Sequence, residues 1–144
     1  SMDYLQIVYE TEVLHDLSSM GCSVDSVTMS EIFNPGRFSA KARSSGLTVG
    51  TVFDLTNGWD LGNPEHQRRA ERIIDQEDPL YILAAPPFRM FSSLQNLSKG
   101  KRDELKYNRE LAEAQSNLQW CCKIYKLRHA MGRYFLHEHP HSQV

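Results

Sequence analysis

The stretch Pro79-Leu80-Tyr81-Ile82-Leu83-Ala84-Ala85-Pro86-Pro87 decides the fold of this 144-residue chain. It is the most hydrophobic part of the sequence, and it stops at two prolines. A short continuous apolar run, closed by residues that cannot donate a backbone hydrogen bond, reads as a strand buried on both faces. Strands of that kind belong to parallel sheets covered by helices. The segment Ala85 to Ser92, at the carboxyl end of such a strand, is then a loop that faces a ligand.

Upstream, Pro64 suits the first turn of a helix with Asn63 as its cap, running to about Glu77. Before it, residues 49–55 (Val-Gly-Thr-Val-Phe-Asp-Leu) read as a strand that ends in the polar loop Thr56 to Asp60. Earlier still, a short helix spans about Ser39 to Ser45 and Gly46 stops it. Residues 26–33 form another strand, closed by Asn34-Pro35-Gly36. An N-terminal helix covers 3–20.

Downstream, a loop over 86–100 leads to a long helix over 102–130. Its apolar stripe is Leu111, Ala114, Leu118, Cys121 or Cys122, and Tyr125. Residues 133–138 are a last strand, and Pro140 ends it. The fold class is α/β: a doubly wound, Rossmann-like, mostly parallel sheet of about four to five strands flanked by helices. One domain over 3–140 is expected. Ser1-Met2 reads as a cloning remnant and 141–144 as a tail.

Composition excludes several classes. Net charge is −2, which gives no broad basic face for duplex nucleic acid. Lys99, Lys101, Arg102, Lys106 and Arg109 cluster locally, as a solvated helix start does. No apolar run is long enough to span a membrane. Cys22, Cys121 and Cys122 are an odd set with neither disulfide-framework nor zinc spacing. They read as buried small hydrophobes in a reducing, intracellular compartment, cytoplasmic or nuclear. Gly-x-Ser-x-Gly and a phosphate loop are both absent. His137, His139 and His141 alternate, but they lack a fourth ligand from a second motif, so no metal site is expected.

Right-handed crossovers gather the loops after all strands at one edge. That edge then offers Glu31 with Asn34-Pro35-Gly36, Asp54 with Trp59, the Pro86-Pro87 corner, and Glu138. An acid ending a second strand can accept from ribose hydroxyls, and a nearby Trp can stack on a purine. Each has a plainer use: Asp54 as a turn cap, Trp59 as core cover, Glu31 in an ion pair.

With these residues placed, the sequence resembles class I S-adenosylmethionine-dependent methyltransferases, in particular the catalytic core of DNA cytosine-C5 methyltransferases. That family opens on Asp-Leu-Phe-x-Gly-x-Gly after its first strand. Here Glu31-Ile32-Phe33-Asn34-Pro35-Gly36-Arg37 stands there, keeping the acid and the Phe. Asp54 matches its ribose-holding acid. Its Pro-Pro-Cys-Gln-x-Phe-Ser motif reads Pro86-Pro87-Phe88-Arg89-Met90-Phe91-Ser92, and its Glu-Asn-Val reads Glu138-His139-Pro140. The resemblance covers about 26–140. It implies S-adenosylmethionine as cofactor, held by Glu31, Phe33, Gly36, Asp54, Trp59 and Pro86. It implies Phe88 stacking on a substrate ring, Ser92 shaping the loop and Glu138 hydrogen-bonding the substrate. A nucleic-acid partner is implied by the resemblance alone.

The departures are chemical. Phe88 occupies the place of the nucleophilic cysteine, and a phenyl ring has no lone pair with which to attack. Amino-methyltransferases carry a polar residue before Pro-Pro-aromatic; Ala85 stands there. The resembled enzymes also continue beyond the Glu138 strand, so a truncated or reduced relative is expected. The expectation is therefore a methyltransferase-like domain impaired at its catalytic loop. The other candidate is a non-catalytic module for protein contacts, for which the faces of Trp120 and Tyr125 are the candidate surface, although packing onto the sheet is the simpler use of both.

Overall fold

The computed structural model of the protein describes residues 26–87 and 104–138. The expected helix over 3–20, the loop carrying Phe88 and Ser92, Cys22, and His139 with His141 lie outside those residues. Eight elements are described: β1 (Met29–Ile32), α1 (Arg37–Ser44), β2 (Val49–Phe53), a 3-10 turn (Leu55–Asn57), α2 (Pro64–Glu77), β3 (Tyr81–Ala84), α3 (Glu104–Ala130) and β4 (Tyr134–His137).

The four strands form one sheet of order β2-β1-β3-β4, and every pairing is parallel. Helices cover both faces, so the doubly wound α/β architecture holds. On one face Met29 and Leu83 pack with Phe38 and Ala42 of α1. On the other, Ile32, Phe53, Ile82 and Ala84 pack with Ala70 and Ile74 of α2 and with Trp120, Cys121, Ile124 and Tyr125 of α3. The period-2 alternation of β1 sorts its residues between these two cores.

Local chemistry sets the helix ends. Asn63 Oδ1 accepts from Glu65 N at 2.9 Å and Pro64 fills the first helical position, as the sequence predicts. Helix α1 begins at Arg37, two residues before the expected start. Gly36, with φ of +81°, turns the chain into it. A side chain on Gly36 would crowd Val52 Cγ2 at 3.3 Å, so the glycine also lets α1 settle over β2. The register of β1 against β2 slips between Met29 and Glu31. The slip lies beside Gly50, where a Cβ would overlap Glu77 Oε2 and Ser30 Oγ. The freed space admits the Glu77 carboxylate, which accepts from Thr51 N at 2.9 Å and Thr51 Oγ1 at 2.5 Å. That contact ties the end of α2 to the sheet edge.

Several expectations are corrected. The strands are shorter than the sequence suggests, since β1 stops at Ile32 and β2 at Phe53. The expected irregular loop after β2 contains the 3-10 turn. In α3 the buried stripe is Ala114, Asn117, Trp120, Cys121, Ile124, Tyr125 and Arg128, so Leu111 and Leu118 are peripheral. Cys121 is buried but Cys122 is exposed: Cys121 lies on the buried stripe with Asn117 and Ile124, and Cys122, about 100° further round the helix, falls outside it. Trp120 and Tyr125 pack inward. Lys106 and Arg109 are exposed on the first turns of α3, as a solvated helix start requires. None of the described helices is long and apolar enough to cross a membrane.

Candidate functional site

The parallel register lays the residues after each strand side by side. Phe33 N donates to Phe53 O at 2.9 Å, Ala85 N to Ile32 O at 3.0 Å, and Glu138 N to Ala84 O at 2.9 Å. The carboxyl edge therefore reads Asp54, Phe33, Ala85, Glu138 in one row. Strands lie about 4.8 Å apart, so the row spans about 14 Å from Asp54 to Glu138. Strand order reverses between β1 and β3, the place where α/β sheets open a crevice for ligands. Phe33, Asn34, Ala85 and Pro86 occupy it.

Phe33 has φ of +58°, a left-handed backbone that a bulky residue adopts only at a cost. Continued alternation from Ile32 would send its ring toward α1. The reversed φ turns it to the opposite face, where it meets Trp120 edge-on with centroids 6.3 Å apart. Trp120 in turn donates through Nε1 to Glu71 Oε1 at 2.9 Å, and Lys123 Nζ reaches the same oxygen at 2.9 Å. The strained residue is thus held from behind by α3 and α2.

Glu31 is fully buried, and its Oε1 accepts from the backbone N–H of Ser39 in the first turn of α1. A carboxylate there satisfies an orphan amide and complements the helix dipole. In many nucleotide-binding sheets that helix end faces a phosphate; here an internal acid takes part of it. Gly36 stands directly above, at the mouth of the same turn.

Asp54 caps the 3-10 turn: Oδ2 accepts from Thr56 N at 3.1 Å and from Thr56 Oγ1 at 2.6 Å. Trp59 is half-buried, packed edge-on against Phe53 at 4.9 Å, and Arg69 Cζ sits 5.3 Å from its ring centroid. One face of the indole is therefore covered by a guanidinium, and a purine stacked there would have to displace it. Pro86 is among the most deeply buried side chains, whereas Pro87 is exposed. Glu138 is half-buried at the β4 end of the row. Beside it, Tyr125 OH and His137 Nδ1 share a hydrogen bond of 2.6 Å. The fit to a nucleoside is partial: an acid oxygen, apolar walls and the buried Pro86 suit it, while Glu31 and Trp59 are engaged internally.

Two residues outside the sequence-derived set belong to the same place. Asn34 follows Phe33 and is 8% exposed. Asn117 of α3 is 6% exposed, and its Oδ1 is buried without a partner among the described residues. The signal for Asn117 is its spacing, since Ala114, Asn117, Cys121 and Ile124 follow one 3-4-3 stripe. A polar residue inside a core stripe marks either a buried bond or a ligand contact.

No family model matches this chain, and no curated protein or solved structure gives a significant match.

Proposed function

We propose that this chain is a methyltransferase-like domain whose crevice between β1 and β3 takes S-adenosylmethionine or its demethylated product, and whose catalytic loop is impaired. The observation that supports it best is the juxtaposition of Phe33-Asn34 with Ala85-Pro86 at the reversal of strand order. Both segments carry the sequence resemblance, and they lie about 50 residues apart in the chain. The cofactor, when bound, supplies an electrophilic methyl group. Asp54 Oδ1 is the acceptor for ribose hydroxyls, Pro86 and Phe33 wall the crevice, and Glu138 lies where a substrate edge would arrive. Phe88 stacks on that substrate and Ser92 shapes the loop, but Phe88 cannot form the covalent adduct of C5 chemistry. The chain works in a reducing intracellular compartment, and any nucleic-acid contact is brought by the substrate.

Isothermal calorimetry with S-adenosylmethionine and S-adenosylhomocysteine tests the cofactor part. Binding that weakens in Asp54→Ala supports it; a folded protein that binds neither compound sinks it. Covalent trapping of Phe88→Cys on fluoropyrimidine DNA then tests the chemistry that the loop has lost.

One observation favours a second reading, a non-catalytic interaction module. Along the outer strand β4, Tyr134 and Phe135 are 48% and 41% exposed, and Leu127 and Met131 are 51% and 55% exposed nearby in sequence. An aromatic edge strand of this kind suits pairing with another chain. Concentration-dependent mass by light scattering, abolished by Phe135→Lys, would favour it.

A further inference from the structure

Helix α3 overhangs the crevice. Trp120 touches Phe33 just past the carboxyl end of β1, whereas Arg128 bonds Asp78 Oδ1 at 2.7 Å and Pro79 O at 2.6 Å at the amino end of β3. The stretch of α3 from Trp120 to Arg128 is about 12 Å long. A four-residue strand such as β3 is about 13 Å long. The two lengths agree, so α3 runs antiparallel to the strands with Trp120 level with the carboxyl edge. Asn117, one turn earlier on the same face, stands about 4.5 Å beyond that edge. The loop after β2 confirms the overhang: a Cβ on Gly62 would lie 3.6 Å from Glu113 Oε1.

We infer that Asn117 is a binding residue of this crevice, its buried Oδ1 accepting from the ring amino group of a phosphate-free nucleoside. The inference rests on the proposed cofactor reading for the crevice and names a contact that recognises its ligand. Buried amide oxygens are rarely left without a donor, because desolvation is then uncompensated. The residues that the fold brings to this edge are apolar: Phe33 against Trp120, and Ala84 at the end of β3, followed by the buried Pro86. They suit the faces of a neutral ring, whose edge must supply the donor. Asn34, on the β1 side, offers a second amide. A phosphate is poorly served, since Glu31 Oε1 already takes the Ser39 amide at the first turn of α1.

The test compares wild type with Asn117→Leu, which keeps the shape and removes the polar atoms. Calorimetry uses adenosine, inosine, AMP and S-adenosylhomocysteine. In wild type, adenosine binds about 10-fold tighter than inosine, which lacks the amino group, and AMP binds no tighter than adenosine. In Asn117→Leu the preference for adenosine over inosine disappears. Without ligand, the same variant melts about 2–4 °C higher, because an unsatisfied polar atom is gone. A lower melting temperature would show a structural role for the oxygen and overturn the assignment. Equal wild-type affinity for adenosine and inosine, or tighter binding of AMP, would overturn it as well. Failure of the two readings is separable. S-Adenosylhomocysteine bound equally by both proteins sinks the Asn117 assignment and leaves the cofactor reading standing. Adenosine bound with amino-group preference while S-adenosylhomocysteine is refused does the reverse. A folded wild type that binds none of the four compounds sinks both.

Discussion

The Glu31 side chain accepts a hydrogen bond from the backbone N–H of Ser39, so the acid that closes β1 is spent on starting α1. Helix α1 has no side-chain cap of its own, since Gly36 occupies that position. Losing the carboxylate leaves the Ser39 amide buried and a cavity beside it. Glu31→Ala should therefore cost about 2–4 kcal/mol, combining a lost cap with a lost core side chain. Glu31→Gln keeps an acceptor oxygen and should cost about 1 kcal/mol. Urea unfolding with an unchanged slope measures both. If Glu31 serves only a ligand, neither substitution moves the midpoint of the free protein.

Asp78 links two arginines at the opposite edge of the sheet. Arg128 is 1% exposed and bonds Asp78 Oδ1 at 2.7 Å, while Arg133 NH2 reaches Oδ2 at 2.5 Å. Hydrogen bonding from Arg133, and then from Arg128, outweighs desolvation and holds the Asp78 carboxyl down at about 2. A depressed folded-state pKa stabilises above the unfolded value near 4 and loses that contribution as pH falls toward 2. Wild-type stability should thus decline between pH 4 and 2, and Asp78→Asn should flatten this part of the profile. The variant should also lose about 3 kcal/mol at pH 7, because Arg128 is left as a buried charge whose remaining described partners, Pro79 O and Met131 Sδ, carry no charge. Denaturant titrations at pH 2, 4 and 7 report both effects.

What could be read in the chain, and what could not, divides by range. The two ends of α2 follow from Asn63, Pro64 and the periodic run to Glu77, all local. Strand β3 follows from its unbroken apolar run. The role of Glu31 depends on α1 folding back over the sheet, and the end of β1 depends on Phe33 taking a positive φ that phenylalanine seldom adopts. The burial of Arg128 has no local signal, because its partner Asp78 lies 50 residues earlier. Asn117 is polar within an apolar stripe, so hydrophobic periodicity does not register it. Asp54 was correctly placed at the edge, but its bonds to Thr56 arise from a 3-10 turn with little periodic signal.

Neighbouring cysteines should differ sharply in reactivity. Burial, and then the adjacent Cys122, push the Cys121 thiol up to about 12, and burial likewise raises the Tyr125 phenol that shares its surroundings. Thiolate is the reactive species, so Cys121 stays inert at neutral pH while exposed Cys122 reacts. In a Cys22→Ser background, iodoacetamide at pH 8 should modify Cys122 alone in the native protein and both thiols in urea, as tandem mass spectrometry reads. The raised folded-state value also stabilises below the unfolded pKa near 9 and is lost as pH rises toward 12. Equal labelling of the two native thiols would show that the Cys121 face of α3 opens.

Phe33 gives the most discriminating substitution pair at the crevice. Its ring contributes packing against Trp120, so both Phe33→Ala and Phe33→Gly lose about 3 kcal/mol of burial. They part company over the backbone. In ordinary strand or helix positions alanine is favoured over glycine by about 0.5–1 kcal/mol. At φ of +58° the order reverses, because glycine alone enters the left-handed region without a Cβ clash. Phe33→Gly should therefore be more stable than Phe33→Ala by about 1 kcal/mol in parallel urea titrations. The opposite ranking would mean that β1 continues through residue 33 in solution. The turn that places Asn34 would then be absent, and with it the β1 side of the proposed crevice.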